Sequence, residues 1–376
     1  MSDTTPEEEK LKILLIQLSG TPIYPAEIAR SLHDLGHEVS VIVSERNIQD
    51  NPFVDGVNVH RVGISSNLVT ILRSLNPITY YRLLRKIQTI DPDIIHITQG
   101  FFWLNPVIPF LSSYPIVYTD HEPEETNDVT FYDRTRIYSY SKYHFRSAAD
   151  KILVHGEYLK EVLENKDVSK NKIAVLKHGV YEHYRNVDTG VRFDDPNKKN
   201  ILFFGLIADY KGIDVLGDAI PKIQSECPEA TVTLAGKGDI SKYLPADIAN
   251  SEFVQIYNEF IPDEKVGKFF RNADVVVLPY KSGSQSGVLT ISYEYRTPVV
   301  VTNVGSLPEA VTEGETGYIV PSNDPDSLSE AIIGIISSEE TSQHMEDIID
   351  EKVQTELSWN VICKQLVSIY QSALEH

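Results

Sequence analysis

The sequence of 376 residues is short of cysteine, of positive charge and of long apolar runs. Its two cysteines, Cys227 and Cys363, are far apart, so neither a disulfide framework nor a cysteine metal site is expected. No apolar run approaches the ~18 residues that a membrane-spanning helix needs. The acidic start, MSDTTPEEEK, lacks the basic and apolar regions of a secretory signal. These absences predict a cytoplasmic protein.

Positive charge is scarce because 34 basic residues face 54 acidic ones, which leaves a formal net charge of −20. A field of that sign repels phosphates at long range, and this argues against a general nucleic-acid or membrane-coating surface. Two explanations of the acidity remain open: solubility, and a high-salt cytoplasm in which screening tolerates an acidic surface. Neither explanation indicates an activity.

Short β-rich runs alternate with amphipathic segments along the chain, as in KILLIQL, PAEIARSLHDLG and HEVSVIV. This alternation is typical of βαβ units and parallel sheets covered on both faces. A polar stretch at 181–199 interrupts it before a second series begins with NILFFG. We predict an α/β protein of two Rossmann-like, doubly wound domains facing each other across a cleft. The expected divisions are a disordered tail at 1–11, a domain at 12–185, a linker at 186–199, a domain at 200–355 and a terminal helix at 356–376 packing back toward the first domain.

Two loops of the second series follow strands and open helices. In FFGLIADYKGIDVL a strand ends at Gly205, and Lys211 stands at a helix start, where backbone dipoles favour anions. In SGSQSG the amides near Gly287 could bind an anion without side-chain charge, with Ser284 or Ser286 as the helix cap. The alternatives are a solvated lysine and a plain capped helix. Two such loops in one domain favour a diphosphate ligand.

The histidines give a weaker indication. His121 follows a strand and begins a polar loop that can face the cleft, although strand-end histidines are often merely hydrogen-bonded. His155 and His178 also end strands, at rim positions. His33 and His37 fit a helix end turning into a strand better than a metal pair, so no metal site is predicted.

Basic and aromatic residues mix in two segments, 77–86 in NPITYYRLLRK and 134–146, RTRIYSYSKYHFR. Such segments can contact an anionic membrane or an acidic acceptor. The alternative is an amphipathic helix with an aromatic side facing the core. Peripheral contact at the inner membrane face is therefore an expectation for these two segments.

From Lys12 onward the chain resembles the retaining, nucleotide-sugar-dependent glycosyltransferases of family 4, which have the two-domain GT-B fold. The segments that carry the resemblance are GLIADYKGIDVL, IPDEKVGKFFRNADVVVLPY, QSGVLTISYEYRTPVVVTNVGSLPEAV and GETGYIVPSNDPDSL. The resemblance implies that the first domain binds the acceptor and the second the nucleotide sugar.

By position, the resemblance implies that Lys211 holds the donor diphosphate and that His121 lines the donor sugar and acceptor. We treat these two residues as the catalytic candidates. The other donor-binding residues implied are Gly20, Gly205, Ser286, Gly287, Val288 and Glu309, the last with a more structural role.

Two features depart from the family pattern. The arginine that usually precedes the lysine is absent, because 206–208 read Leu-Ile-Ala, and Gly283 and Ile291 replace the paired glutamates that contact sugar and ribose. A subgroup of the family resembles this QSGV form. Glu294, one helical turn beyond Ile291, is our candidate for the ribose contact.

Together these features predict a metal-independent hexosyltransferase that moves a sugar, with retention, from a nucleoside diphosphate sugar to a hydroxyl of a glycan or glycolipid. The nucleotide sugar is a co-substrate, and no cofactor or nucleic acid is expected. The alternative is a catalytically weak GT-B protein that binds a nucleotide or a partner enzyme. An epimerase on the same fold is a third reading, which would react without an acceptor.

Overall fold

A computed structural model describes residues 10–45, 52–64, 76–124, 136–190 and 198–375. Most of the expected tail at 1–11 lies outside these ranges, as do 191–197 of the expected linker and 134–135 of the second basic segment. The described residues form two α/β units, each built on one parallel sheet.

The N-terminal sheet has seven parallel strands in the order β3-β2-β1-β4-β5-β6-β7. Its inner strands are continuous apolar runs such as Ile94–Ile97, which is buried along its whole length because helices cover both faces of the sheet. The strands are β1 (Lys12–Gln17), β2 (Glu38–Ser44), β3 (Asn58–Val62), β4 (Ile94–Ile97), β5 (Ile116–Thr119), β6 (Lys151–Val154) and β7 (Ile173–Val175).

The C-terminal sheet has six parallel strands in the order β10-β9-β8-β11-β12-β13. The valine-rich runs VVVL and VVVT form its buried centre. The strands are β8 (Asn200–Phe204), β9 (Thr231–Ala235), β10 (Val254–Tyr257), β11 (Val275–Leu278), β12 (Val299–Thr302) and β13 (Gly317–Val320).

Helices cover both faces of each sheet and pack there against separate apolar clusters. The helices are α1 (Ile23–Asp34), α2 (Pro77–Ile90), α3 (Arg136–Ala148), α4 (Glu157–Glu164), α5 (Glu182–Asn186), α6 (Ile213–Glu226), α7 (Ala246–Ala249), α8 (Asp263–Phe270), α9 (Gly287–Glu294), α10 (Leu307–Ala310), α11 (Pro325–Ile336), α12 (Glu339–Lys352) and α13 (Trp359–Leu374). None of these helices has the length and apolar character needed to cross a membrane.

Helix α13 follows the second domain in sequence but packs in the core of the first. Its side chains Trp359, Leu366 and Tyr370 are buried among residues of β1, β2 and α1. The Trp359 indole donates to the Val180 carbonyl at 2.7 Å, and a Cβ on Gly179 would approach that indole to 2.5 Å. The chain therefore crosses between the domains twice: it leaves the first domain after β7, through 176–190, and returns to it at the start of α13.

Each sheet reverses its strand order at one point, between β1 and β4 in the first domain and between β8 and β11 in the second. Ligands of open parallel sheets bind at such switch points, outside the carboxyl ends of the strands. The loops after β1, β8 and β11 meet in one interdomain cleft, and they carry Gly20, Lys211 and Ser286. The predicted fold class, two Rossmann-like domains across a cleft, is confirmed.

Candidate active site

The interdomain cleft has a volume of about 670 Å³ and is lined from both domains. Most of the site residues predicted from the sequence lie on its walls. These are Gly20, His121, Gly205, Lys211, Ser286, Gly287 and Val288.

Lys211 lies at the end of a short helical turn, Asp209–Lys211, and is only 8% exposed. Its ammonium group donates a hydrogen bond to the Tyr280 hydroxyl at 2.5 Å, and it lies 4.3 Å from the centre of the same ring. Burial lowers the pKa of Lys211. Among the described residues no carboxylate pairs with it, whereas the neighbouring Lys281 pairs with Asp214 at 2.6 Å. Lys211 is thus a buried cation without an anion.

Tyr280 connects Lys211 to the loop before α9. A lysine ammonium only donates, so the Tyr280 oxygen accepts from it, and the same hydroxyl is hydrogen-bonded to Ser286 Oγ at 2.9 Å. Tyr280 was not among the residues predicted from sequence, since a tyrosine after a buried strand is commonly part of the core. The three side chains form one continuous chain of hydrogen bonds along the cleft wall.

Ser286 occupies the N-cap position of α9, but its side chain does not cap the helix. The expectation of a serine cap is wrong here because Ser286 Oγ is bound to Tyr280 instead. The amides of Gly287 and Val288 donate to no described residue and open into the cleft. A Cβ on Gly287 would come within 3.3 Å of the Tyr181 ring, so this helix start is closely packed. These amides and the helix dipole together favour an anion.

The preceding loop is held by the next strand-end loop. Ser306 donates its amide to the Ser284 carbonyl at 2.9 Å, and a Cβ on Gly305 would lie 2.0 Å from the Gly283 carbonyl oxygen. Gly283 itself has φ +147, a conformation that few other residues adopt. The glycine at this position thus shapes the loop, and a glutamate there would be strained.

On the opposite wall, the ends of the adjacent strands β5, β6 and β7 bring His121, His155 and His178 together. The rings of His121 and His155 are 5.0 Å apart, and those of His155 and His178 are 4.8 Å apart. Sequence reasoning selected only His121. The missed signal was that three histidines follow three consecutive parallel strands, whose carboxyl ends share one edge.

His121 is fixed by three contacts. Its Nε2 donates to the Thr98 carbonyl at 2.9 Å, and its Nδ1 lies 3.2 Å from His155 Nε2. Gln285, from the C-terminal domain, donates its side-chain amide to the same Nδ1 at 3.3 Å. Burial lowers the pKa of His121. The site is therefore completed by a hydrogen bond between the two domains.

Glu294 does not line the cleft, so the structure does not support its expected ribose contact. Its carboxylate is 4% exposed and pairs with Arg185 Nε at 2.9 Å. Burial raises the pKa of Glu294 to about 7. Of these two helix positions, Ile291 reaches the cleft wall and Glu294 does not. The reason is that Arg185, far away in sequence, draws the carboxylate to the α5 side of the helix.

Glu309 also lies outside the cleft, in a position that supports a structural role instead of donor binding. Its two carboxylate oxygens accept hydrogen bonds from the amides of Glu157 and Tyr158, each at 2.7 Å. These amides open α4 in the other domain, where the cap residue is Gly156, which has no side chain to cap the helix. Glu309 thus caps a helix across the domain interface, beside a second cavity of about 260 Å³.

The absence of the family arginine is visible in the loop after β8. Leu206 is 56% exposed, and Ile207 is buried through a bridge to Gly238. Lys211 is the only lysine or arginine on the cleft wall in the part of the chain that the structure describes. No group of three or more His, Cys, Asp or Glu side chains within the described ranges could hold a metal ion. The positive end of the cleft consists of one side chain and a helix start.

Both halves of the chain match glycosyltransferase family models. Residues 18–183 match the model described as glycosyltransferase family 4, and residues 198–338 match glycosyl transferases group 1. An uncharacterized glycosyltransferase of Methanocaldococcus jannaschii is 25% identical over 95% of each chain. A phosphatidyl-myo-inositol mannosyltransferase of Mycolicibacterium smegmatis is 24% identical over 94% of this chain and 90% of that protein.

Solved structures share the fold at lower identity. Sucrose-phosphate synthase from Thermosynechococcus elongatus superposes with a TM-score of 0.74 at 18% identity, over 96% of this chain and 99% of that one. Anabaena HepE in complex with UDP and glucose has a TM-score of 0.70 at 15% identity, over 96% of this chain and 100% of that one. Both domains and their arrangement are thus shared with proteins of known structure.

Proposed function

We propose that this protein, whose two halves match glycosyltransferase family models, transfers a sugar from a nucleoside diphosphate sugar to a hydroxyl group of a glycan or glycolipid, with retention at the anomeric carbon. One observation carries the proposal: the buried Lys211 ammonium, which has no described carboxylate partner, shares a cleft with the unpaired amides that open α9. This arrangement suits a diphosphate.

In the proposed reaction the bond between the anomeric carbon and the diphosphate breaks, and negative charge grows on the leaving oxygen. Lys211 and the amides of Gly287 and Val288 would stabilise that charge as donors already in place, which is worth most in a site shielded from water. The acceptor hydroxyl attacks the face that the diphosphate leaves, and its proton passes to the departing phosphate. No protein nucleophile, cofactor or metal is required in this scheme.

The N-terminal domain would supply the acceptor side and complete the donor site. His121 faces the cleft opposite Lys211, and Gly20 with φ +69 leaves the first loop close to Gln99. The hydrogen bond from Gln285 to His121 joins the two walls. Closure of the domains would therefore assemble the site around the donor and exclude water.

A donor panel tests the proposal. Purified protein is incubated with UDP, GDP and ADP sugars, with and without glycan and lipid-linked acceptors, and nucleotide release and product anomers are measured. We expect acceptor-dependent release with one class of donor, giving a product of the same anomeric configuration. An inverted product would contradict retention, and a reaction independent of acceptor would favour the epimerase.

The second candidate is a catalytically weak protein that binds a nucleotide or a partner enzyme. Two departures favour it: the loop 206–208 offers no arginine, and Ile291 stands where a ribose-binding glutamate is usual. Nucleotide binding without release from any donor in the same panel would select this candidate over transfer.

We further propose peripheral contact with an anionic membrane through α2. This helix buries Leu83 and Ile87 and exposes Tyr81 together with three basic side chains, Arg82, Arg85 and Lys86. The other basic-aromatic segment offers less positive charge than its sequence suggests, because Lys142 is buried and Arg146 pairs with Asp120 at 2.7 Å. Basic residues near an anionic bilayer contribute roughly 1 kcal/mol each.

Replacing Arg82, Arg85 and Lys86 with glutamine is expected to weaken binding to vesicles containing phosphatidylserine on the order of a hundredfold, from three lost contributions of roughly 1 kcal/mol. Vesicle co-sedimentation measures the effect. The matched control replaces three exposed lysines of the C-terminal domain, Lys237, Lys242 and Lys265. Equal losses in both variants would show a general charge effect and remove α2 as the contact.

Replacing Tyr280 with phenylalanine is expected to lower kcat/KM for transfer about tenfold. The ring remains, but the hydroxyl that accepts from Lys211 and is hydrogen-bonded to Ser286 is lost, and hydrogen bonds to charged groups contribute roughly 1.5–3 kcal/mol. Steady-state kinetics measure it. Ser286→Ala, which removes only the hydrogen bond between Tyr280 and Ser286, should have a smaller effect. An unchanged Tyr280→Phe enzyme would show that Lys211 does not depend on the hydroxyl.

A further inference from the structure

The hydrogen-bond partners of His121 and His155 determine where each ring carries its proton. His121 Nε2 lies 2.9 Å from the Thr98 carbonyl oxygen, and His155 Nδ1 lies 2.9 Å from the Leu176 carbonyl oxygen. A carbonyl oxygen only accepts, so each of these nitrogens must be the protonated one. The single N–H of each neutral ring therefore donates to a backbone carbonyl.

The two remaining nitrogens, His121 Nδ1 and His155 Nε2, face each other at 3.2 Å. In two neutral rings both would present a lone pair, so neither could donate to the other. One additional proton between them turns this contact into a charge-assisted hydrogen bond. When the added proton resides on His155 Nε2, that N–H and the Gln285 amide, 3.3 Å from His121 Nδ1, share the single lone pair of His121 Nδ1.

The neighbours of the pair give little compensation for a positive charge. On the N-terminal side they are Tyr24 of α1, His96 of β4, Asp120 with its partner Arg146, Glu122 and His178. On the C-terminal side Lys211 and Tyr280 lie across the cleft. Around the second cavity, which His155 also lines, are Glu157, Lys177, Glu309 and Lys352.

Two carboxylates near the pair are engaged elsewhere: Asp120 pairs with Arg146, and Glu309 accepts from two amides. Burial lowers the pKa of both histidines, and for His155 the closeness of His178 and His121 lowers the pKa further. Without a ligand the pair therefore stays neutral at pH 7. An anionic ligand in the cleft would compensate the positive charge that an additional proton places on the pair.

We propose that His121 and His155 form one proton-binding unit, which takes up a single proton from solvent when an anionic ligand fills the cleft and releases it when that ligand leaves. His155 is the positioning residue of the unit, and it acts on the ligand through His121. The proposal rests on the proposed function for the identity of the ligand, a nucleoside diphosphate.

The sign of the pH dependence follows from linkage. If the complex binds one proton more than the free protein, the dissociation constant falls as the pH falls, by up to tenfold per pH unit. The dissociation constant changes with pH only between the pKa of the free pair and that of the liganded pair. The pKa of the free pair is below the ordinary histidine value of 6.5 because burial lowers the pKa of both histidines. A terminal phosphate itself titrates near pH ~6, so a matched variant is needed to isolate the protein's share.

Nitrogen-15 NMR of histidine-labelled, ligand-free protein at neutral pH gives the first test. We expect protons on His121 Nε2 and His155 Nδ1 and none on the facing nitrogens, with assignment by single-histidine variants. A proton on either facing nitrogen in the ligand-free protein would overturn the proposal, since the pair would then already be hydrogen-bonded.

The second test is calorimetry of UDP binding in buffers of different ionisation enthalpy, comparing wild type with His155→Gln. Glutamine presents a neutral amide donor near the position of Nε2, so it can satisfy His121 without adding charge. Wild type should take up more protons per UDP than this variant, by a difference approaching one. Equal uptake would overturn the proposal.

His178→Asn is the control, because its amide can keep the 2.7 Å contact of His178 Nδ1 with the Gly179 carbonyl while the facing pair stays intact. This variant should take up as many protons per UDP as wild type. If it took up fewer, proton uptake would not be confined to His121 and His155. The NMR test needs no ligand, and the calorimetry needs no acceptor. Either test can therefore contradict this proposal while the donor panel still shows sugar transfer. If UDP does not bind, inorganic pyrophosphate replaces it as the probe, and that failure counts against the proposed donor alone.

Discussion

Replacing Lys211 with methionine is expected to reduce the rate of sugar transfer by about 10²–10³-fold. Removal of one preorganised donor to a developing anion typically has an effect of that size. Here it also removes the only lysine or arginine that the described residues place on the cleft wall. The loss should appear in kcat more than in nucleotide affinity, since the charge on the leaving phosphate grows in the transition state.

The fold of this variant should be unaffected. Burial lowers the pKa of Lys211 below its unfolded value, so the charged form is less favourable in the folded protein than in the unfolded chain and its ionisation adds no stability. Methionine has similar length and no charge, and thermal unfolding should show an equal or higher Tm. Lys281→Met is the matched control, since Lys281 is paired with Asp214 and does not line the cleft. Near-normal turnover in the Lys211 variant would remove it from the mechanism.

Replacing His121 with alanine is expected to reduce kcat about a hundredfold while raising the dissociation constant for UDP no more than about tenfold. The side chain lies on the wall opposite the proposed diphosphate site, where it would meet the transferred sugar, and groups positioned at the reacting centre typically contribute 10²–10⁴-fold. Separate titrations and single-turnover rates distinguish the two effects.

His33→Ala serves as the control for this change, because His33 lies in the last turn of α1 and does not line the cleft. A His121 variant with unchanged turnover would refute a role at the sugar. A variant that loses affinity and turnover equally would indicate that His121 only helps to hold the nucleotide.

The fold could be predicted from sequence because its determinants are local. Runs such as VVVL and VVVT are too apolar to be anything but buried parallel strands, and the turns between them carry the glycines that the loops require. Lys211 and His121 could be predicted for a related reason. Each follows a strand closely, and parallel strands bring their carboxyl ends to one edge.

The side-chain orientations in the site could not be predicted, because they depend on partners that are distant in sequence. Glu294 has the right helical spacing for the cleft, but Arg185 holds its carboxylate elsewhere. Ser286 has the right position for a helix cap, but Tyr280 takes its hydroxyl. The orientation of the His155 ring is set by the Leu176 carbonyl. Sequence spacing predicts which residues can line the cleft. It does not predict which neighbour forms the hydrogen bond with each side chain.

The Glu309 carboxylate, which accepts from the amides of Glu157 and Tyr158, has a consequence for the timing of catalysis. Glu309 is exposed to solvent, so each of these bonds contributes only roughly 0.5–1.5 kcal/mol once competition from water is counted. Two such bonds favour the closed arrangement by about 5- to 150-fold. In the proposed reaction, a preference of this size would hold the two domains together during transfer and still let them separate for the nucleotide to leave.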